Sequence, residues 1–102
     1  MLDHKFRRSG LFLLDEPEAA LSPQRQLSFL ILLHQTLHDY KDAQFIISTH
    51  SPIVLAYPDA RIYLLGPDGM TQVAYEDTEQ FALTRDFLLN KDRYLRRLLE
   101  PR

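Results

Sequence analysis

A chain of 102 residues with 45% hydrophobic content and a formal charge of −2 has the composition of one small globular domain built on a single core. The absence of cysteine excludes a disulfide framework and a thiolate metal site, and predicts a cytoplasmic address. Near-neutral charge offers no broad footprint for nucleic acid, and Arg93, Arg96 and Arg97, which gather near the C-terminus, are expected on a solvated helix face.

The densest apolar stretch, residues 29–33, falls far short of the roughly 18 residues that a membrane helix needs. Asp3, His4 and Lys5 stand where an apolar signal core would begin, so neither membrane insertion nor targeting is expected. The first element is read in Leu11-Phe12-Leu13-Leu14, an apolar run stopped by Asp15-Glu16-Pro17, which predicts a strand buried on both faces with two carboxylates at its C-terminal end. Ser22-Pro23 then supplies an N-cap and a proline at the first helical position. Leu27, Leu30, Ile31 and Leu37 recur at helical spacing, predicting a helix over residues 23–38. After a break at Tyr40-Lys41-Asp42, Phe45-Ile46-Ile47-Ser48-Thr49 predicts a second buried strand that stops at His50-Ser51-Pro52.

A crossover of this length makes the two strands parallel, so Asp15, Glu16 and His50 are expected at one edge of one sheet, where open α/β sheets bind ligands. Residues 61–65 and 70–75 flank Gly66-Pro67-Asp68-Gly69 and predict an antiparallel hairpin. Two helices should close the chain. Asp77 or Thr78 would cap the first, which carries Phe81, Phe87 and Leu88; Asn90 would cap the second, which carries Tyr94, Leu95, Leu98 and Leu99. The apolar stripe of these helices is expected to be core, with docking of a partner helix as the alternative.

Adjacent carboxylates at a strand end point in different directions, so one can face a metal-bound phosphate while its neighbour orients a water. A bare Asp-Glu-Pro is equally an acidic turn. Here it sits between an apolar strand and a capped helix, with a second strand ending in Ser-Thr-His, which makes an ordered constellation out of a dipeptide.

Through LFLLDEPEAALSP and FIISTHSPIV the chain resembles the ABC-type ATPases over about residues 10–65. It is most similar to their soluble, non-transporter AAA/ABC branch, in which an acid follows the DEP. The resemblance implies a partial P-loop NTPase fold of the α/β class: a parallel sheet with helices, then a β-hairpin and helices. It implies that the first motif is Walker B, with Asp15 helping to hold Mg2+ through water and Glu16 polarising the water that attacks the terminal phosphate of ATP. His50 matches the switch histidine that contacts the γ-phosphate, and residues 20–23 match the D-loop.

Two departures qualify the resemblance. Ser22 stands where the transporter branch has aspartate, and there it can simply cap the helix. The only glycines are Gly10, Gly66 and Gly69, so no GxxxxGK[ST] loop cradles phosphates, and neither a Q-loop nor a signature serine-glycine motif is present. The expectation is therefore a single partial domain over residues 1–102, the C-terminal half of an ABC-type ATP-binding domain without its phosphate-loop strand, inactive in isolation. Its expected partners are a phosphate-loop-bearing N-terminal half, a second ATPase subunit or further copies of itself. A noncatalytic module docking on a phosphate-loop-bearing partner is the alternative.

Two other chemistries have weaker warrants. His34 and His38 have the i, i+4 spacing of a zinc-protease helix, but Gln35 stands where the glutamate base is required. Ser48, His50 and Ser51 suggest a hydrolase, yet neither serine lies in a G-x-S-x-G elbow, and both are expected to finish the strand.

Overall fold

The computed structural model describes residues 10–101, which form two compact units divided between Pro58 and Asp59. The first is a strand–helix–strand unit: β1 (Leu11–Asp15), α1 (Pro23–Asp39) and β2 (Gln44–Ser48). β1 and β2 pair in parallel from Leu11↔Gln44 to Asp15↔Ser48, so both strands end on the same side, as the crossover requires. β2 begins and ends one residue earlier than the apolar run suggested, which leaves Thr49 and His50 just beyond the ladder.

α1 starts where its cap predicts. The Ser22 hydroxyl accepts the Arg25 N–H at 3.2 Å, and Pro23 occupies the first turn, where a missing N–H costs nothing. The face that α1 buries differs from the expected stripe. Phe29 and Leu33 form the centre of the core with Val54, and Leu14, Leu21, Leu30, Phe45, Ile47 and Tyr57 pack against them. Leu27 and Ile31 are exposed, on a second apolar stripe nearly half a turn away.

Burial of β1 on both faces is not observed. Phe12 is buried and its ring lies 5.2 Å from that of Phe45, whereas Leu11, Leu13 and Ile46 are exposed on the opposite face. Side chains alternate across a strand, and α1 covers only one of the two faces.

In the second unit β3 (Ile62–Gly66) pairs antiparallel with β4 (Gly69–Val73) through a Pro67-Asp68 turn. Proline holds a negative φ there, and Gly69 supplies the left-handed φ of +114° that returns the chain. α2 (Glu79–Leu89) is capped by Thr78, whose hydroxyl accepts the Phe81 N–H at 3.2 Å. α3 (Lys91–Leu98) follows Asn90. That side chain does not cap α3; its amide turns back to donate to the Asp86 backbone carbonyl and carboxylate, both at 3.0 Å. The hydroxyl of Tyr94 also donates to the Asp86 carboxylate, and the Tyr94 ring meets Phe87 edge-on. Neither helix contains a buried residue, and Leu88, Leu95, Leu98 and Leu99 are exposed, so the expected core stripe is not buried within the described residues.

Candidate active site

The parallel pairing places the acidic end of β1 beside the Ser-Thr-His end of β2. The ladder runs one residue past the strands, because the Glu16 N–H donates to the Ser48 carbonyl at 2.7 Å. At that point the backbone turns sharply. Glu16 has a φ of +48°, in the left-handed region that non-glycine residues enter at a cost of about 1–2 kcal/mol, and it does so immediately before a proline. Strain of this kind persists where surrounding bonds over-determine it, as at active sites. Here those bonds are the ladder bond to Ser48 and the turn closed by the Ala19 N–H on the Glu16 carbonyl at 3.0 Å.

The turn sends the Glu16 carboxylate toward the end of β2, where its Oε2 lies 3.6 Å from Nδ1 of His50. That separation is an ion-pair distance, beyond a hydrogen bond. The two side chains are 51% and 74% exposed, so both functional groups open to solvent and are accessible to a ligand. Asp15 is also exposed and paired in register with Ser48. The three residues singled out by the sequence are thus brought to one sheet edge, with Glu16 and His50 close together.

A polar network that periodicity did not reveal lies beneath them. Glu18 accepts the Thr49 hydroxyl on Oε1 at 2.7 Å and the His50 backbone N–H on Oε2 at 3.1 Å. Burial is the largest single influence on its carboxyl and raises its pKa. The bonds from Thr49, its own backbone and His50, together with the His50 charge, outweigh that and hold it below its ordinary value. Ser51 is buried; its hydroxyl donates to the Gln26 side chain and accepts the N–H groups of Ile53 and Val54, each at 3.1 Å. Ser51 therefore caps the turn after β2, as a strand-finishing serine should. The signal for Glu18 in the sequence is the acid that follows Asp15-Glu16-Pro17; those for Ser51 and Gln26 are too generic to stand out.

The remaining candidates are engaged elsewhere. His34 shares a hydrogen bond of 3.1 Å with the Tyr57 hydroxyl, and His38 one of 3.3 Å with Asp39. The described residues gather no group of three histidine, cysteine or acidic side chains that could cage a metal. Asp15 and Glu16 offer carboxylate oxygens at the strand end, the donor type of which magnesium takes one or two beside its waters and substrate phosphates. No helix among the described residues is long and apolar enough to cross a membrane.

No curated protein matches the chain. The model of the family described as "AAA domain, putative AbiEii toxin, Type IV TA system" matches residues 4–56, just over half of the chain. That span holds β1, α1, β2 and every residue of the polar network above. With its α/β unit and its acidic strand end, the chain belongs to this AAA-domain family and carries part of a P-loop, nucleotide-binding ATPase fold.

Proposed function

We propose that this chain supplies the magnesium and catalytic-base segment of an ABC-type ATP-binding domain, corresponding to the C-terminal half of such a domain, and that ATP hydrolysis is the reaction it serves. The observation that supports this reading most is the approach of Glu16 and His50, 3.6 Å apart at the shared end of two parallel strands, with the backbone of Glu16 strained into the left-handed region. The 102 residues contain no glycine-rich lysine loop, so a segment or subunit outside them would hold the phosphates.

Asp15, exposed at the strand end, is the ligand that would hold magnesium through water. Magnesium, when bound, neutralises charge that develops on the β- and γ-phosphate oxygens. Glu16, whose carboxylate is half exposed and meets His50 only at ion-pair distance, would accept the hydrogen bond of the attacking water and then its proton. The His50 ring faces Glu16 with Nδ1 at ion-pair distance, which leaves Nε2 as the nitrogen that would donate to a γ-phosphate oxygen. One exposed edge would thus present an acceptor to the nucleophile and a donor to the group under attack.

The test is Glu16→Gln in the ATP-hydrolysing assembly that contains this chain. The amide keeps the shape but cannot act as a base, so steady-state hydrolysis should be abolished while ATP binding is retained. Unchanged turnover would remove Glu16 from this role.

A further inference from the structure

The hydrogen bonds around His50 converge on a residue that the reading above leaves without a role. Glu18 sits in the turn after β1, held there by the Leu21 N–H on its carbonyl at 2.9 Å. Its two carboxylate oxygens are divided between consecutive residues across the site, Oε1 for the Thr49 hydroxyl and Oε2 for the His50 backbone N–H. The Thr49 oxygen in turn accepts the Ser51 N–H at 3.0 Å, and Ser51 is tied to Gln26 of α1. The backbone is therefore pinned on both sides of His50, while the imidazole itself stays largely exposed.

We infer that Glu18 is a positioning residue: it fixes the backbone of His50 relative to Glu16, so that the end of β2 and the turn after β1 present the imidazole and the carboxylate as one preformed pair. The inference rests on the roles proposed for Glu16 and His50. A carboxylate suits the task because it offers two acceptor oxygens in one plane and can serve two donors at once. Glutamine offers a single acceptor, so one of the two donors would lose its partner. Both bonds run to an ionised acceptor, which strengthens them, the Thr49 bond at 2.7 Å the more so, and the lowered carboxyl pKa agrees with that. The geometry also makes the two halves of the site interdependent. Glu18 lies two residues after Glu16, so the turn that strains Glu16 also delivers the Glu18 carboxylate to Thr49 and His50.

The experiment has two arms. In the isotope-labelled full chain without nucleotide, the His50 amide proton should resonate at low field, as expected for a bond to a carboxylate. Glu18→Ala should move that resonance upfield and speed its exchange with solvent by about tenfold, the equivalent of one hydrogen bond to a charged group. Glu18→Gln, which keeps the size of the side chain, gives the same readout should the alanine variant not fold. In the ATP-hydrolysing assembly, Glu18→Gln and Thr49→Val should each lower kcat about tenfold with KM nearly unchanged, and Thr49→Ser should restore it, because misplacement of a functional group is felt in the chemical step. A purely structural tie would lower stability and leave the kcat of the folded fraction alone. An unmoved His50 amide in both Glu18 variants overturns the inference. So does a wild-type kcat in Glu18→Gln when Glu16→Gln has abolished turnover. Turnover indifferent to Glu16→Gln and His50→Ala would instead overturn the ATPase reading, and the nucleotide-free arm would still report whether Glu18 holds His50.

Discussion

At the scale of single residues, the proposed roles separate by what each substitution removes. Asp15→Asn exchanges a charged ligand for a neutral one, so nucleotide binding should weaken more with magnesium than without it; calorimetric titrations in the presence and absence of the ion compare the two. His50→Ala should lower turnover while ADP affinity changes little, because its proposed partner is the phosphate that ADP lacks. An equal loss of ADP and ATP affinity would mark His50 as structural. Glu18 titrates with a definite sign. Its folded carboxyl lies below the ordinary 4.5, so its contribution to stability is complete above that value and is lost as the pH falls through the lowered one. The stability difference between wild type and Glu18→Gln, read from urea midpoints, should therefore be constant near neutral pH and shrink in acid. That Asp15, Glu16 and His50 meet at one sheet edge could be read from the sequence because they follow apolar runs, and a parallel crossover brings the ends of such runs together. Glu18 could be seen there only as an extra acid. Its bonds depend on the left-handed turn at Glu16, a local backbone choice that hydrophobic periodicity does not encode.

The elements themselves were more legible than the faces they bury. Cap chemistry located the start of α1, since Ser22 and Pro23 are suited to those positions for reasons of bonding and fixed φ. The buried face was misjudged because α1 carries two apolar stripes, and periodicity alone does not say which one meets the sheet. The packing makes the distinction measurable. Phe29→Ala should cost about 3–5 kcal/mol and Leu33→Ala about 2–5, each leaving a cavity beside Val54, whereas Leu27→Ala and Ile31→Ala should each cost under about 1 kcal/mol. Denaturant midpoints of the four variants check this, and a reversed order would contradict the assigned face. β1 teaches the same lesson for strands. Four consecutive apolar residues read as burial on two faces, yet Leu11 and Leu13 are exposed while Phe12 is buried and Leu14 packs against the core that α1 centres.

At the scale of the whole molecule, composition bounded the answer and the motifs filled it in. An α/β class with a parallel strand–helix–strand unit and a separate hairpin followed from the order of apolar runs and turn residues. How much of the surface is apolar did not, because exposure depends on which faces meet. Leu11, Leu13 and Ile46 form a contiguous exposed face on the β1–β2 sheet, and apolar faces of this kind promote association. The purified 102-residue chain should therefore scatter light as a species larger than a monomer. It should also show no magnesium-dependent ATPase activity, since no loop within it cradles a triphosphate for attack. A monodisperse monomer whose ATP turnover is abolished by Glu16→Gln would overturn both expectations.

The register of β1 against β2 governs where the chain can change length. Backbone bonds from Leu11↔Gln44 to the Glu16 N–H on Ser48 set the spacing between Glu16 and His50, so the connection through α1 only has to reach. The exposed Lys41-Asp42 turn can accordingly be lengthened or shortened and leave the two side chains facing each other. An extra residue inside Gln44–Ser48 would turn every later side chain of that strand to the opposite face and carry Thr49 out of reach of Glu18.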